Sequence, residues 1–421
     1  MGVSIWEGNK AGAAVAALER QNLLLTQLIT AEGGATPINT LQEIAEIVRR
    51  GEAPNVFTVG DQIMVKWNNG TQDYILPFDI VHFDDVELQD GETVPGMFIQ
   101  CHYALEGVQF DQNEAFYVVP AGGLAAGTYH FKMGNSWGSN VVADKSYQFT
   151  LAESYAEGDL LQLGTATSEV PGLPDTAPAN WRVRTYKASG STPAGLAAST
   201  TEIVTLTEGT GGTDLGTLSS STKYGTSGLN NMQRSGYGYN RWSQSAIRQW
   251  MNSDAAAGSW FTPQNPYDRK PDQLASLRGM KAGFEQGFLD ILKPIKVTTA
   301  LNTVTDDQIG ASENTYDLFF LASLEQEYIA PQASGVEGHY WEYWKRRLGL
   351  ASPQQQGSGG TNPNHIRYAY NAQTSAQNCR LRSAYRGNAI STWNVNTSGS
   401  ANYGHYHATN AYRAVPACVI C

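Results

Sequence analysis

From residue 351 to residue 421 the chain has no Asp, Glu or Lys; Arg367, Arg380, Arg382, Arg386 and Arg413 are its only strongly ionised side chains there. A region without carboxylates offers no oxygen cage for calcium and no acid–base pair for glycoside cleavage. The formal net charge of the whole chain is −11, so the acidity lies upstream. That balance argues against a general nucleic-acid binder. Cysteine is scarce: Cys101, Cys379, Cys418 and Cys421 are too few for a disulfide scaffold. Cys418 and Cys421 form a lone C-x-x-C with no second pair opposite it, so they read as small apolar residues or free thiols. No apolar run is long enough to span a bilayer, so no membrane insertion is expected. The opening "MGVSIWEGNK" has no basic stretch followed by an apolar core, and Trp6 stands where a myristoylation pattern needs Ser or Thr. Synthesis in a cytoplasm without a secretion signal is the expectation.

What is present is apolar and aromatic: 41% hydrophobic against 16% charged, with 10 Trp, 21 Tyr and 13 Phe. Such a chain can bury enough surface to fold, and its length predicts several domains. Residues 1–53 read as a helical attachment or oligomerisation segment. Val15, Leu18, Leu24, Leu25 and Leu28 form an apolar stripe that needs a partner. In "TPINTLQEIAEIVRRG", Thr36 or Asn39 can cap, Pro37 suits a first turn and Gly51 can end the helix. Residues 54–165 switch to period two, with short runs such as "DQIMVKW", "YILPFDIVHF", "GTYHFKM" and "SYQFTL" between turn residues. They predict a β-sandwich or barrel. Residues 166–232 are rich in Gly, Ser and Thr and read as a connecting region with a strand or two at "WRVRTY" and "EIVTL". Residues 233–421 form an α+β unit. Helices are expected at "NRWSQSAIRQWMNSD" and "LRGMKAGFEQGFLDIL", and strands at "IKVTTAL", "YDLFFLASL", "CRLRSAYR" and "AVPACVI". The fold class is therefore multidomain α+β.

One tract stands out. "GNAISTWNVNTSGSANYGHYHATNAY" (387–412) holds no Lys, Glu, Gln, Asp or Met, yet it lies between two strand-like flanks. The genetic code connects its residue types. Mutating only the adenines of AAC or AAT reaches Tyr, His, Ser, Thr, Ile, Gly and Asp, and never Lys, Glu, Gln, Met or Trp. Ile390, Ser391, Tyr403, Gly404, His405, Tyr406, His407, Thr409, Asn410 and Tyr412 all fit; Trp393 does not and reads as a fixed prop. With Tyr385, these residues are the candidate ligand-binding face, over a variable tract of about 385–412. Tyr gives contact area at small entropic cost, and Ser, Gly and Asn adapt their hydrogen bonds.

The blocks "WSQSAIRQWMN", "DLFFLASLEQEY", "CRLRSAYR" and "RAVPACVI", in this order, resemble the C-type-lectin-like proteins of phages, a fold related to the formylglycine-generating enzyme. The tract itself resembles the variable region of a target protein of a diversity-generating retroelement. The resemblance implies a C-type-lectin-like ligand-display domain over 233–421. It also implies a virion-surface receptor-binding or adhesion protein that binds a host-surface glycan or protein. Other virion proteins would be met through the N-terminal segment, and a homotrimer is expected. A decoration protein with a purely structural lectin-like domain, or a bacterial surface adhesin, are the alternatives. No enzyme activity is expected: the copper oxidase of the related fold needs paired cysteines, and none lies near Cys379 in sequence. No cofactor and no metal are expected either; His405 and His407 have H-x-H spacing but no Asp, Glu or Cys beside them. The acidic "FDDVEL" (83–88) and "LEQEY" (324–328) read as solvated turns. By the resemblance, Glu325 is a candidate brace for Arg382.

Overall fold

The computed structural model describes residues 40–136, 141–165, 181–197, 199–222, 225–304, 312–357, 360–403 and 406–421. The apolar stripe at 15–28 lies outside the described residues. Helix α1 (Leu41–Arg49) begins at Thr40, whose side chain accepts from the Glu43 N–H while Glu43 answers to the Thr40 N–H. This reciprocal box, T-x-x-E, caps the helix at Thr40; the expected caps Thr36 and Asn39 lie outside the described residues. Gly51, at φ +73°, ends the helix.

The architecture is mixed α+β and rich in strands. Strands β1 (Gln62–Asn68), β2 (Asp73–Glu87) and β3 (Thr93–Cys101) form an antiparallel meander. The next strands along the chain are β4 (Gly107–Gln109), β5 (Tyr117–Val118), β6 (Gly127–Met133), β7 (Ser146–Leu151), β8 (Leu160–Thr165), β9 (Trp181–Tyr186), β10 (Ile203–Thr205), β11 (Thr207–Glu208), β12 (Thr213–Leu218) and β13 (Gly228–Leu229). Helices α2 (Met232–Tyr237) and α3 (Ala246–Asn252) follow, then β14 (Ile295–Ala300), β15 (Ser312–Asp317), β16 (Phe320–Leu321) and helix α4 (Glu342–Leu348). The chain closes with β17 (Arg367–Ala369), β18 (Ala372–Gln377), β19 (Cys379–Ala384), β20 (Thr392–Val395), β21 (Ala401–Asn402), β22 (Ala411–Arg413) and β23 (Pro416–Ile420).

The division expected between 54–165 and 233–421 is corrected by the sheet order. One sheet runs β1-β2-β3-β23-β16, so the final strand pairs with the early meander: Cys418 opposes Ile99 and Ile420 opposes Met97. A single apolar core joins Ile44, Phe78 and Ile99 to Trp242, Trp250, Trp344 and Val419. Interrupting this unit, residues 116–229 form a separate sandwich. Its sheets, β10-β9-β8-β5-β13 and β11-β7-β6-β12, share a core of Phe116, Phe131, Phe149, Leu161 and Val183. The supposed connecting region thus supplies β9 to β13. Period-two alternation announces a strand but not its partner, so composition alone cannot show that β23 returns to β3.

The helix expected across 277–292 is replaced by a few tight turns at Lys281–Gly283 and Gln286–Leu289. Gly283 explains this. A Cβ there would lie 2.3 Å from Trp67 Nε1, so the backbone presses on the indole while Phe284 and Phe288 pack onto Phe78. Among the described residues, no helix is long and apolar enough to cross a membrane.

Candidate functional site

Strand β19 carries the frame of the tract. It lies in a second sheet, β21-β20-β19-β22-β4, flanked by the two extended pieces of the tract. Arg380 on β19 is 1% exposed, and its acceptors are all neutral. It donates to Thr392 Oγ1 (2.6 Å) and to the carbonyls of Tyr406 (2.9 Å), His407 (2.9 Å) and Asn410 (2.7 Å). The Tyr412 ring lies 4.7 Å from its guanidinium carbon. Burial pushes the guanidinium pKa down, to about 9, with Tyr412 and Tyr406 opposing. It therefore stays charged at neutral pH, and charge-assisted bonds to carbonyls are the strong kind.

Asn240, also buried, holds the first half of the tract. Its Nδ2 faces the carbonyls of Tyr385 (3.2 Å), Asn388 (2.9 Å) and Ser391 (2.8 Å), and its N–H donates to Ala389 (2.9 Å). Asn388 Oδ1 accepts from the N–H groups of Ile390 and Ser391. Ala408 donates to Ile390, and Thr409 donates to Tyr237 on α2. Every one of these bonds, except that from Arg380 to Thr392 and the two accepted by the Asn388 side chain, fixes the tract through its main chain. Changing most tract side chains leaves such bonds in place.

The aromatic side chains stand on this frame. Tyr385 and Tyr403 stack at 3.7 Å and 3°, with Trp393 edge-on to Tyr403 at 4.9 Å. Trp393 is fully buried and donates to Gln332 Oε1, as a fixed prop would. His407 stacks on Tyr237 at 4.2 Å, and Tyr406 leans on Tyr412 at 5.2 Å. Tyr385, Tyr403, Tyr406, His407, Thr409, Asn410 and Tyr412 are half-buried, each keeping part of its surface in water. Two candidates are corrected. Ile390 is 6% exposed and packs with Tyr239 and Ala389, and Ser391 is 2% exposed. Both belong to the frame: the Ser391 carbonyl faces Asn240 Nδ2 and its N–H donates to Asn388 Oδ1, while Ile390 packs in the small cluster with Tyr239. Gly404 and His405 lie outside the described residues.

Sequence reasoning missed the supports. Arg382, expected to meet Glu325, donates instead to Gln326 Oε1 and to the carbonyls of Leu321, Thr298 and Glu337. Glu325 accepts from the N–H groups of Gly335 and Glu337. Glu325 and Glu327 are buried rather than in a solvated turn, with His365 Nε2 3.0 Å from Glu327. All four cysteines are free and buried, and burial pushes Cys101 and Cys379 up to about 12. Such thiols carry almost no thiolate at neutral pH.

Below the tract sits an acidic knot. Asp111, Glu114 and Asp268 are all buried, with oxygens within 4.8 Å of one another. Glu114 is matched by Arg234, but among the described residues Asp111 and Asp268 have no cation of their own. Asp111 Oδ2 accepts from the Tyr239 N–H, while Oδ1 has no hydrogen-bond partner. Burial, then Glu114, raises Asp268 to about 7; burial, then Asp268 and Glu114, raises Asp111 well above its ordinary value. Folding therefore favours the protonated pair. That contribution is full below about pH 4, the unfolded value, and is lost as pH rises through about 7. Asp111→Asn copies the neutral form and turns the orphan position into a donor toward Asp268. The variant is expected to exceed the parent in stability at pH 8 by on the order of 1–3 kcal/mol, with the gap closing toward pH 4. Urea midpoints at pH 5 and pH 8 check this; an equal gap at both values would refute the protonated pair.

The comparison with known families bears on the C-terminal half. Residues 217–420 match a domain of unknown function, DUF6273. No curated protein and no solved structure matches the chain. The DUF6273 match covers α2, Arg380, Asn240 and the whole tract. It leaves out β3, although β23 within it pairs with β3. The folded unit that carries the DUF6273 match is thus larger than the match itself.

Proposed function

We propose that the face built from residues 385–412 is a ligand-binding surface, and that the chain is a virion-displayed receptor-binding or adhesion protein. One observation carries the reading: the tract backbone is held from beneath by Arg380 and Asn240, while Tyr385, Tyr403, Tyr406 and Tyr412 remain part-exposed above it. A main chain fixed independently of its side chains tolerates exchange of those side chains. Rigid tyrosines on such a frame are what a binding face uses. The tract's Asn-codon composition supports diversification of the same face, and the lectin-like resemblance supports display on a virus particle. The ligand class is a host-surface glycan or protein, and several copies on one particle would convert weak contacts into avidity.

Tyr403→Ala, Tyr406→Ala and Tyr412→Ala test this on glycan arrays and whole cells. At least one change is expected to weaken attachment by about 30-fold, the size of an interface hot spot, with the urea midpoint moving little for Tyr406. Attachment left intact by all three would favour a purely structural lectin-like domain and end the binding reading.

A further inference from the structure

We propose that His82, Asp84 and His339 form a binding site for a zinc-class divalent metal ion, with water as the fourth ligand. His82 and Asp84 are two apart on β2, so one face of the strand carries both. The pairing of β2 with β3 shifts register between Ile80 and His82, and a bulge of this kind re-aims the side chains after it. His339 comes from the segment just before α4. The three ligand atoms lie within 4.8 Å of one another.

The distances within the cluster are uneven in an informative way. His339 Nδ1 is 2.6 Å from Asp84 Oδ2, while His82 Nε2 is 4.0 Å from the same oxygen. The longer gap is no hydrogen bond. A zinc ion with bonds of about 2.0–2.2 Å in tetrahedral geometry holds its ligand atoms roughly 3.3–3.5 Å apart. An ion between the three would relax the close pair and close the open one. The donor set is two imidazoles and one carboxylate, which suits zinc better than calcium or magnesium, whose ligands are oxygens. Phe98 lies 6.1 Å from the His82 ring and 6.0 Å from Trp341, so one side chain steadies both arms. Glu342 is excluded as a ligand, because Arg346 holds its carboxylate at 2.9 Å. His339 is 77% exposed, leaving the site open to an ion from solvent.

The consequence reaches the display face. Between Glu325 and Trp341 the chain supports the tract: Gln332 Oε1 accepts from the Arg386 N–H and from Trp393 Nε1, and the Glu337 carbonyl accepts from Arg382. A metal shared by β2 and His339 would clamp this support to the main sheet. The metal site stands whether or not the face above binds a ligand.

The test is calorimetric titration of ZnCl2 into the full chain after dialysis against a chelator, alongside His82→Ala and His339→Ala. One ion per chain is expected, with affinity weakened roughly tenfold or more in each variant, and Co2+ is expected to give the intense visible bands of a tetrahedral site. His339→Ala removes an exposed side chain, so an unchanged urea midpoint without zinc will show that its fold is intact. No saturable binding below about 100 µM, uptake unchanged in both variants, or a weak octahedral Co2+ spectrum would each overturn the assignment.

Discussion

Arg380→Ala is expected to destabilise the protein by on the order of 4 kcal/mol and, on the function proposed above, to abolish attachment. The substitution strips donors from three carbonyls and one hydroxyl, each costing about 1–3 kcal/mol when buried and unpaired. Water entering the vacated space would recover part of that. Arg380→Lys keeps the charge but not the planar fork that reaches four acceptors from two nitrogens, so an intermediate loss of about 2 kcal/mol is expected. Two measurements check the account. Urea denaturation gives the stability, and hydrogen exchange should show lost protection at Thr392, Ala408 and Tyr412, whose N–H groups pair within the tract. A loss under about 1 kcal/mol with exchange unchanged would mean that the tract holds itself up.

The second large effect lies at the buried ion pair beneath α2. Arg234 and Glu114 are both inaccessible to solvent, joined by bonds of 2.9 Å and 2.7 Å, and Glu114 also accepts from Asn230 Nδ2 at 2.7 Å. The Arg234 guanidinium lies 3.6 Å from the centre of the Tyr239 ring. Glu114→Ala leaves that cation buried without its carboxylate and is expected to cost about 3–5 kcal/mol. Replacing both partners by alanine should cost less than Glu114→Ala and Arg234→Ala combined, since no lone charge remains. Thermal and urea unfolding of the four proteins close the cycle; additive losses would show that the pair contributes no coupling. Helix α2 also bears Tyr237, which stacks on His407 and accepts from the Thr409 N–H. The damage should therefore reach the display face from below.

The parts of the fold that were legible in the sequence are those written in local pattern. Alternation marks β1, β2, β6 and β7, the short apolar run "AVPACVI" marks β23, and the apolar face of Trp242, Ile247, Trp250 and Met251 marks α3. Long-range pairing leaves no such trace. Nothing in "VPACVI" says that it joins β3 some three hundred residues upstream, and so the inserted sandwich was split between a domain and a linker. At the site, composition located the tract but not the direction in which each side chain points. Ile390 and Ser391 share their codon class with Tyr403 yet face inward, because the loop ahead of β20 packs Ile390 against Tyr239 and ties Ser391 to Asn388. Arg380 is one of five arginines in the carboxylate-free region, and an arginine in a strand is ordinary until its acceptors are known. His82 and His339 lie too far apart in the chain for spacing to connect them.

Strand β23 follows the tract in the chain and sits between β3 and β16. The reading frame must therefore survive the tract intact for the main sheet to acquire its middle. A copying error that adds or drops one nucleotide in the tract rewrites Cys418, Val419 and Ile420 and leaves β3 with a bare edge. Such a product would misfold. The fold thus acts as a proofreader: it ignores which amino acid fills an outward position, yet rejects any message whose triplets have slipped.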